Sequence, residues 1–407
     1  MKCRHCELTL THRFVDLGFA PPSNAYLRPE DLGSPETHFP LRVNVCHECW
    51  LVQTEDYARA EELFNADYAY FSSTSSSWLD HAARFAHTVI ERLQLGFESL
   101  VIEVASNDGY LLKNFKAAGI PCLGIEPTAS TAAAAEALGL SVRREFFSES
   151  LGRQLAAEGR RADLIVGNNV YAHVPDINDF TRGLAAALKP EGTVTLEFPH
   201  VMPLIERTQF DTIYHEHFSY LSLTTVTRIF AMAGLRIWDV EELPTHGGSL
   251  RIFGCHAAAA IATTNRVDAL LTRECEFGLT RPETYAAFQP RADRLKDDLL
   301  AFLIEQKRIG QQVAAYGAAA KGNTLLNYAG VRSDLLPYVC DAAVSKQGKF
   351  MPGSHIPIRS PEELRKNPPD ALIVLPWNIV EEVQNQLADL AQRGTRFVTA
   401  IPELSFL

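Results

Sequence analysis

The stretch Val101-Ile-Glu-Val-Ala-Ser-Asn-Asp-Gly-Tyr110 decides the fold. Its opening is apolar and β-branched, as a buried strand requires, and Ala105–Gly109 are small or turn-forming residues. Tyr110–Ala118 follows with helical spacing. A strand, a small-residue turn and a helix in succession open an α/β unit. The pattern continues outward: strand Cys122–Glu126, helix Ala129–Leu138, strand Ala162–Asn168, helix Asn178–Leu188 and strand Gly192–Phe198. This alternation predicts a parallel sheet with helices on both faces. Upstream, Ser72–Ser77 suits a helix entry, and Trp78–Leu95 carries Leu79, Ala82, Phe85, Val89 and Leu93 on one helical face.

Ligands of such sheets bind at the carboxyl ends of the strands. The small residues Ala105, Ser106 and Gly109 let the backbone approach a ligand closely, and Asn107 in the same turn is a candidate contact. Glu126, followed by Pro127, ends the next strand, where an acid can accept hydrogen bonds from ribose hydroxyls. The Gly-x-Gly-x-x-Gly pattern of dinucleotide sites is absent. Glu103 and Asp108 would repel a pyrophosphate but suit the amino and sulfonium cations of S-adenosylmethionine. Asn168 and Asn169 end a further strand beside the methionine end. Phe146 or Phe147, in Glu145-Phe-Phe-Ser148, is placed for adenine or for the core. Generic α/β packing without a cofactor is the competing reading.

A second α/β pattern begins near Ser249. A long helical region, about Asn265–Ile309, leads to strand Gln312–Tyr316 and the Gly/Ala turn Gly317–Gly322. A helix starts at Asn323, strand Leu336–Cys340 ends in Asp341, and strands Ala371–Leu375 and Arg396–Ala400 follow. A turn opening a helix favours anions through its free amides and dipole. Lys321 adds a charge, and Asn323 and Thr324 add polar groups, so a sugar-nucleotide pyrophosphate fits there. The spacing is not that of a Walker A loop. Close strand–helix packing is the alternative.

The N-terminal block holds two Cys-x-x-Cys pairs, Cys3/Cys6 and Cys46/Cys49, with strand-like runs Arg13–Leu17 and Phe39–Val45. Two such knuckles make a closed four-sulfur site for one structural Zn²⁺. Redox pairing, free thiols, or His5 and His47 as substitute ligands compete with that reading. The chain of 407 residues has room for several domains. With 46% hydrophobic and 21% charged residues it is ordinary for a globular protein. A net charge of −11 argues against a general nucleic-acid binder. With no spanning segment and no apolar signal core, a cytoplasmic protein without membrane contacts is expected.

Two further stretches crowd ionisable groups: Asn168-Asn-Val-Tyr-Ala-His-Val-Pro-Asp176 and Phe210-Asp-Thr-Ile-Tyr-His-Glu-His-Phe-Ser-Tyr220, followed by Thr245-His-Gly-Gly-Ser-Leu-Arg251. Histidines, tyrosines and carboxylates near strand ends suit proton abstraction beside a carbonyl. A metal held by His215 and His217, or a hydrogen-bonded core cluster, competes with that role.

These pieces together resemble the zinc-containing sugar C-methyltransferases acting on nucleoside-diphosphate 4-keto-sugars of deoxysugar pathways. The match includes Tyr-Ala-Tyr-Phe-Ser-Ser (68–73), His-Gly-Gly-Ser-Leu-Arg (246–251) and Gly-Ala-Ala-Ala-Lys-Gly-Asn-Thr-Leu-Leu (317–326), in family order along the chain. Ala319 departs from an expected proline. The resemblance implies an α/β protein in three parts. These are a zinc-binding domain (1–71), a Rossmann-like S-adenosylmethionine methyltransferase domain (72–248) and a C-terminal Rossmann-like domain (249–407) for the nucleotide-sugar. It implies a base among Tyr214, Glu216 and His217, with His173 and Tyr68 or Tyr70 in the same pocket. The substrate would be held by His246, Ser249, Arg251, Gly317, Lys321, Asn323, Thr324 and Asp341. Methylation at C-3′ and a monomer are expected. Our reading makes His217 the base, assisted by Glu216, with Tyr214 second in line. Rival classes are a nucleotide-sugar oxidoreductase or epimerase, a non-catalytic binding module, and O- or N-methylation.

Overall fold

The computed structural model describes residues 1–57 and 71–407, so the expected roles of Tyr68 and Tyr70 lie outside the described residues. Among the described residues no helix is long and apolar enough to cross a membrane. Three sheets form the framework. The first has the order β1-β2-β3-β9, with β1 His12–Ala20, β2 Phe39–Val45, β3 Val52–Thr54 and β9 Ser219–Tyr220. Its last strand comes from the distant Tyr214–Tyr220 stretch: Val52 faces Tyr220 and Gln53 faces Ser219.

The second sheet has the order β10-β11-β8-β7-β4-β5-β6. Its strands are β4 Val101–Val104, β5 Cys122–Ile125, β6 Ser141–Arg143, β7 Ala162–Asn168, β8 Leu188–Pro199, β10 Leu235–Leu243 and β11 Ser249–His256. Strands β6, β5, β4, β7 and β8 run parallel, and β11 and β10 close that edge antiparallel. The chain runs outward from β4 to β6 and then returns to β7 on the other side. The order therefore reverses between β4 and β7, where a crevice opens beyond the strand ends. The helix Ser76–Leu93 buries Ala82, Phe85, Ala86 and Val89 against Val101, Leu112 and Phe115. A fully buried side chain of this size contributes about 1.5–3 kcal/mol. Ser75, Ser148, Asp176 and Ser222 accept a backbone N–H at the starts of their helices, which fixes where the chain leaves each loop.

The third sheet has the order β14-β13-β12-β15-β16-β17, with β12 Val313–Tyr316, β13 Val339–Cys340, β14 Ile358–Arg359, β15 Ala371–Val374, β16 Arg396–Thr399 and β17 Ser405–Phe406. It is parallel apart from β17. A second reversal lies between β12 and β15.

One expectation needs correction. The boundary after Gly248 falls at the start of β11, which is an interior strand of the central sheet. The apolar run Ser249–His256 is explained by burial between β8 and β10, not by a new domain. The long helical region, about Asn265–Ile309, comprises three helices, Asn265–Phe277, Pro282–Ala286 and Phe288–Arg308. Gly278 closes the first in the left-handed region at φ 98 and Pro282 opens the second.

Candidate active site

The four sulfurs of Cys3, Cys6, Cys46 and Cys49 lie within 4.8 Å of one another. Cys3 and Cys49 sulfurs are 3.5 Å apart, and those of Cys6 and Cys46 are 3.4 Å apart. Sulfurs bound at about 2.3 Å on a tetrahedral ion would be about 3.8 Å apart, so the donor set fits one zinc with no open position. Both knuckles fold alike. Glu7 and Trp50, each four residues after the first cysteine, adopt φ 63 and φ 62 and donate their N–H to the carbonyls of Cys3 and Cys46. Gln53 Nε2 donates to Cys3 Sγ at 3.2 Å. His5 does not replace a thiol: its Nδ1 bonds Asn178 Oδ1 at 2.8 Å, while His47 packs on His12. The knuckles also clamp the central domain. Arg4 Nη1 donates to Pro175 O at 2.9 Å and Thr225 Oγ1 to Cys49 O at 3.2 Å. The first holds the Ala172–Asp176 loop and the second the helix Leu223–Met232.

At the crevice between β4 and β7, the turn is forced through positive φ at Ala105 (57), Asn107 (50), Gly109 (79) and Asn169 (53), a strain that recurs at ligand sites. Both Glu103 carboxylate oxygens, Ser106 Oγ, Asp108 Oδ1 and both polar atoms of the Asn168 side chain are buried without hydrogen-bond partners among the described residues. Burial, then the charges of Glu126 and Asp108, push the Glu103 carboxyl well above its ordinary range. A crevice lined by uncompensated carboxylates and orphaned polar atoms fits a cationic ligand with donors of its own. These residues suit the amino and sulfonium groups of S-adenosylmethionine. The neighbouring acid is engaged: Glu126 Oε2 accepts from Asn107 N and Oε1 from Thr128 N, both at 2.9 Å. Ser72 N and Ser73 N donate to Asn107 Oδ1 (2.9 Å) and Asp108 Oδ2 (3.0 Å). Phe147, weighed for adenine, packs edge-on against Phe180, with centroids 5.2 Å apart, in the seam between two helices. It serves the core there.

Beside this crevice the second polar stretch folds over the end of β7. His217 is buried, and its Nδ1 donates to Thr212 O at 2.9 Å. That bond leaves the lone pair on Nε2. His173 is fixed the same way, with Nδ1 donating to Glu216 O at 2.8 Å. The two rings meet edge-on with centroids 4.7 Å apart, and Tyr214 lies against His217 at 4.0 Å. Burial pushes His217 well below its ordinary value, and His173, His246 and Lys321 add to this, so it stands neutral. His173 and His246 are pushed down to about 4, chiefly by burial. His246, at φ 55, is 3.1 Å from Asn169 Nδ2 through its Nε2.

Some expected partnerships are not formed. Glu216 Oε1 accepts from Asn24 Nδ2 at 3.1 Å, and its other oxygen is buried without a partner among the described residues. No side-chain bond links it to His217, because adjacent residues in this turn point apart. Burial raises its carboxyl to about 7. His215 is turned toward β2, 3.3 Å from Pro40 O and edge-on to Phe39, so it does not pair with His217 around a metal. Of the His246–Arg251 run, only His246 joins the cluster. Arg251 Nη2 is 2.7 Å from the fully buried Glu197, which His81 and Thr245 also bond. Ser249 Oγ donates to Thr245 O. Both are spent inside the protein.

From the C-terminal sheet, Lys321 reaches this same cluster, partly exposed, with Nζ 2.8 Å from Asn378 Oδ1 and 4.4 Å over the Trp377 ring. Asn323 and Thr324 are buried and donate to Ser23 O and Ile213 O. They tie the helix Ala320–Tyr328 to the other two domains and do not face outward. Asp341 accepts from Ala318 N at 2.8 Å and Ala343 N at 2.7 Å, which shapes the turn at Gly317 (φ 94).

Successive parts of the chain match a zinc binding domain (3–64), a methyltransferase domain (78–240) and a C-methyltransferase C-terminal domain (244–402). C-methyltransferase NovU of Streptomyces niveus is 34% identical over 402 residues, covering 99% of this chain and 96% of NovU. The chain belongs to the zinc-containing, S-adenosylmethionine-dependent C-methyltransferase family. Solved structures similar to part of the chain include magnesium protoporphyrin IX methyltransferase from Synechocystis PCC 6803 with bound SAH. It is 14% identical and covers 44% of this chain and 85% of its own, with TM-score 0.35. The PH0226 protein of Pyrococcus horikoshii is 13% identical, covering 46% and 94%, with TM-score 0.38. The C-methyltransferase site also contains groups that the sequence reading passed over. Asp211 lay inside a quoted stretch. Asn24 and Trp377 carry no local signal, because they enter from the other two domains.

Proposed function

We propose that this C-methyltransferase methylates a carbon next to the ketone of a nucleoside-diphosphate-linked 4-keto-sugar, at C-3′, in deoxysugar formation. The observation that carries the proposal is the state of His217. It is buried, neutral and oriented by Thr212 so that Nε2 keeps its lone pair, beside the crevice suited to a cationic donor. The sugar rests on the sequence resemblance and on the setting of Lys321 at the reversal of the third sheet, where an anionic pyrophosphate is favoured.

In this mechanism Nε2 of His217 takes the proton from the carbon beside the ketone. The C–H electron pair becomes the enolate. Tyr214, tilted against His217, is the O–H donor for the enolate oxygen, and His173, whose N–H is engaged by Glu216 O, packs edge-on against His217 and holds that ring in place. Glu103, Asp108 and Asn168 orient the donor through its amino and sulfonium ends. Once bound there, S-adenosylmethionine supplies the electrophilic methyl that the enolate carbon takes. Alignment of the two reacting carbons carries much of the rate.

The test incubates enzyme, keto-sugar nucleotide and S-adenosylhomocysteine in deuterated water. Wild type should exchange hydrogen at the acceptor carbon, and His217→Asn should lose exchange and turnover yet still bind the donor product. Absence of any exchange in wild type would sink the enolate mechanism, and full activity of His217→Asn would remove His217 as the base.

A further inference from the structure

The reversal between β12 and β15 places two loops side by side: Gly317–Lys321 after β12 and Pro376–Asn378 after β15. A Cβ on Gly317 would overlap Pro376, so the loops are packed to backbone contact. Trp377 lies between this crevice and the central domain. One ring face carries the Lys321 ammonium at 4.4 Å, while its Nε1–H donates to Asp211 Oδ2 at 2.7 Å. Its ring also fills the space over Gly247, where a Cβ would overlap it, next to His246. Asp211 is fully buried, and its Oδ1 has no hydrogen-bond partner among the described residues. An indole between a carboxylate and an ammonium makes a three-part chain from the catalytic loop to the C-terminal cation. Neither end of that chain is satisfied as a surface ion pair would be.

We propose that Asp211 and Trp377 are positioning residues for Lys321, holding its ammonium charged and aimed for an anionic group of the substrate. The inference rests on the reading that Lys321 meets a nucleoside diphosphate. Trp377 restricts where the flexible lysine stem can go, through attraction between the ammonium and the ring face. Asp211 supplies a negative charge to an ammonium that is drawn partly out of water. Among the described residues, the other titratable groups near Lys321 are His217 and His246, which stand neutral and so leave Asp211 as the counter-charge. Burial pushes Lys321 down to about 8 and Asp211 opposes that shift, while burial raises Asp211 to about 6. Between those values both are charged. Loss of Asp211 would lower the pH at which Lys321 gives up its proton.

The test measures dissociation constants of thymidine, guanosine and cytidine diphosphates by calorimetry between pH 6.5 and 9. It uses the full zinc-loaded chain with S-adenosylhomocysteine bound. Lys321→Met tests the underlying reading. Asp211→Asn and the conservative Trp377→Phe, which keeps a ring but removes the N–H, test the positioning. We expect both to weaken the tightest diphosphate roughly tenfold, the scale of one hydrogen bond to a charged group. In Asp211→Asn the alkaline loss of affinity moves to lower pH, while zinc content and S-adenosylhomocysteine affinity hold. If Lys321→Met weakens binding but both other variants match wild type, the positioning role is overturned and the phosphate reading survives. If wild type binds no diphosphate, or Lys321→Met binds as wild type does, the phosphate reading falls and the positioning role with it. Parallel loss of zinc or S-adenosylhomocysteine in Trp377→Phe would show a merely structural part and overturn the proposal.

Discussion

Glu103 and Glu216 are two buried carboxyls with different jobs, and each can be tested alone. Glu103 has neither a hydrogen-bond partner among the described residues nor a counter-charge, so it costs the donor-free protein stability. Glu103→Gln should therefore raise the unfolding temperature of the donor-free protein at pH 8. It should also weaken S-adenosylmethionine roughly tenfold or more, as expected for loss of a buried charge–charge contact. Calorimetry with a thermal scan reads both, and unchanged donor affinity would take Glu103 out of the site. Glu216 has its carboxyl raised from an ordinary 4.5 to about 7. Between those values the folded chain binds the proton more firmly than the unfolded chain. Its contribution to stability is therefore full below 4.5 and is lost as pH rises through 7. Glu216→Gln removes that loss. The stability difference, variant minus wild type, should grow from pH 4.5 to 7 and then level off. The neutral histidines His173 and His246 destabilise the fold as pH falls from 6.5 toward 4, but equally in both proteins, so they cancel in the difference. A flat difference across denaturant titrations at these pH values would contradict the shift.

Among elements, the decisive one is the turn Thr245–Gly248 between β10 and β11. Gly247 takes φ 88 and Gly248 takes φ 125, conformations that side chains rarely adopt. A Cβ at Gly247 would overlap the Trp377 ring and crowd the Gln209 amide that donates to Gly247 O at 3.0 Å. Gly247→Ala should cost about 1–3 kcal/mol from the strained φ and should raise KM for the nucleotide-sugar more than it changes donor affinity. Equal KM in the variant would mean that Trp377 is not held by this turn. The element also explains an overreading. The His246–Arg251 run looked like one set of ligands, but β11 is buried from Ser249 onward. Its arginine must then meet an internal acid, and Glu197 is that acid.

For the whole molecule, the zinc knuckles act at a distance from the chemistry. They position Gln53, Thr54 and Arg4, and Thr54 Oγ1 donates to His217 O at 3.1 Å. Through that bond and the β3–β9 pairing, the zinc domain forms one wall of the His217 loop. Removing zinc with a chelator, or Cys46→Ser, should lower the unfolding temperature and abolish turnover, since metal binding is folding energy in such sites. Donor binding in the β4–β7 crevice, whose residues all belong to the central domain, should be partly kept. Zinc-free protein with full turnover would show that the wall stands without the ion.

The sequence by itself determined the local pieces. The period of its apolar residues specified the central alternation of strand and helix. The paired Cys-x-x-Cys spacing specified four sulfurs that the structure brings within one ion's reach. The Glu103–Gly109 turn specified a crevice hostile to phosphate. These were legible because each depends on residues close in the chain, where spacing and side-chain chemistry suffice. The tertiary structure alone decided which side of each piece faces the site. It lent Ser219–Tyr220 to the zinc domain's sheet and turned His215 away from His217. It gave Glu216 to Asn24, and it brought Lys321 and Trp377 to the loop of Asp211. Those outcomes depend on which buried polar groups can find partners once three sheets pack together. That choice is made between distant segments, so no short-range pattern in the sequence records it.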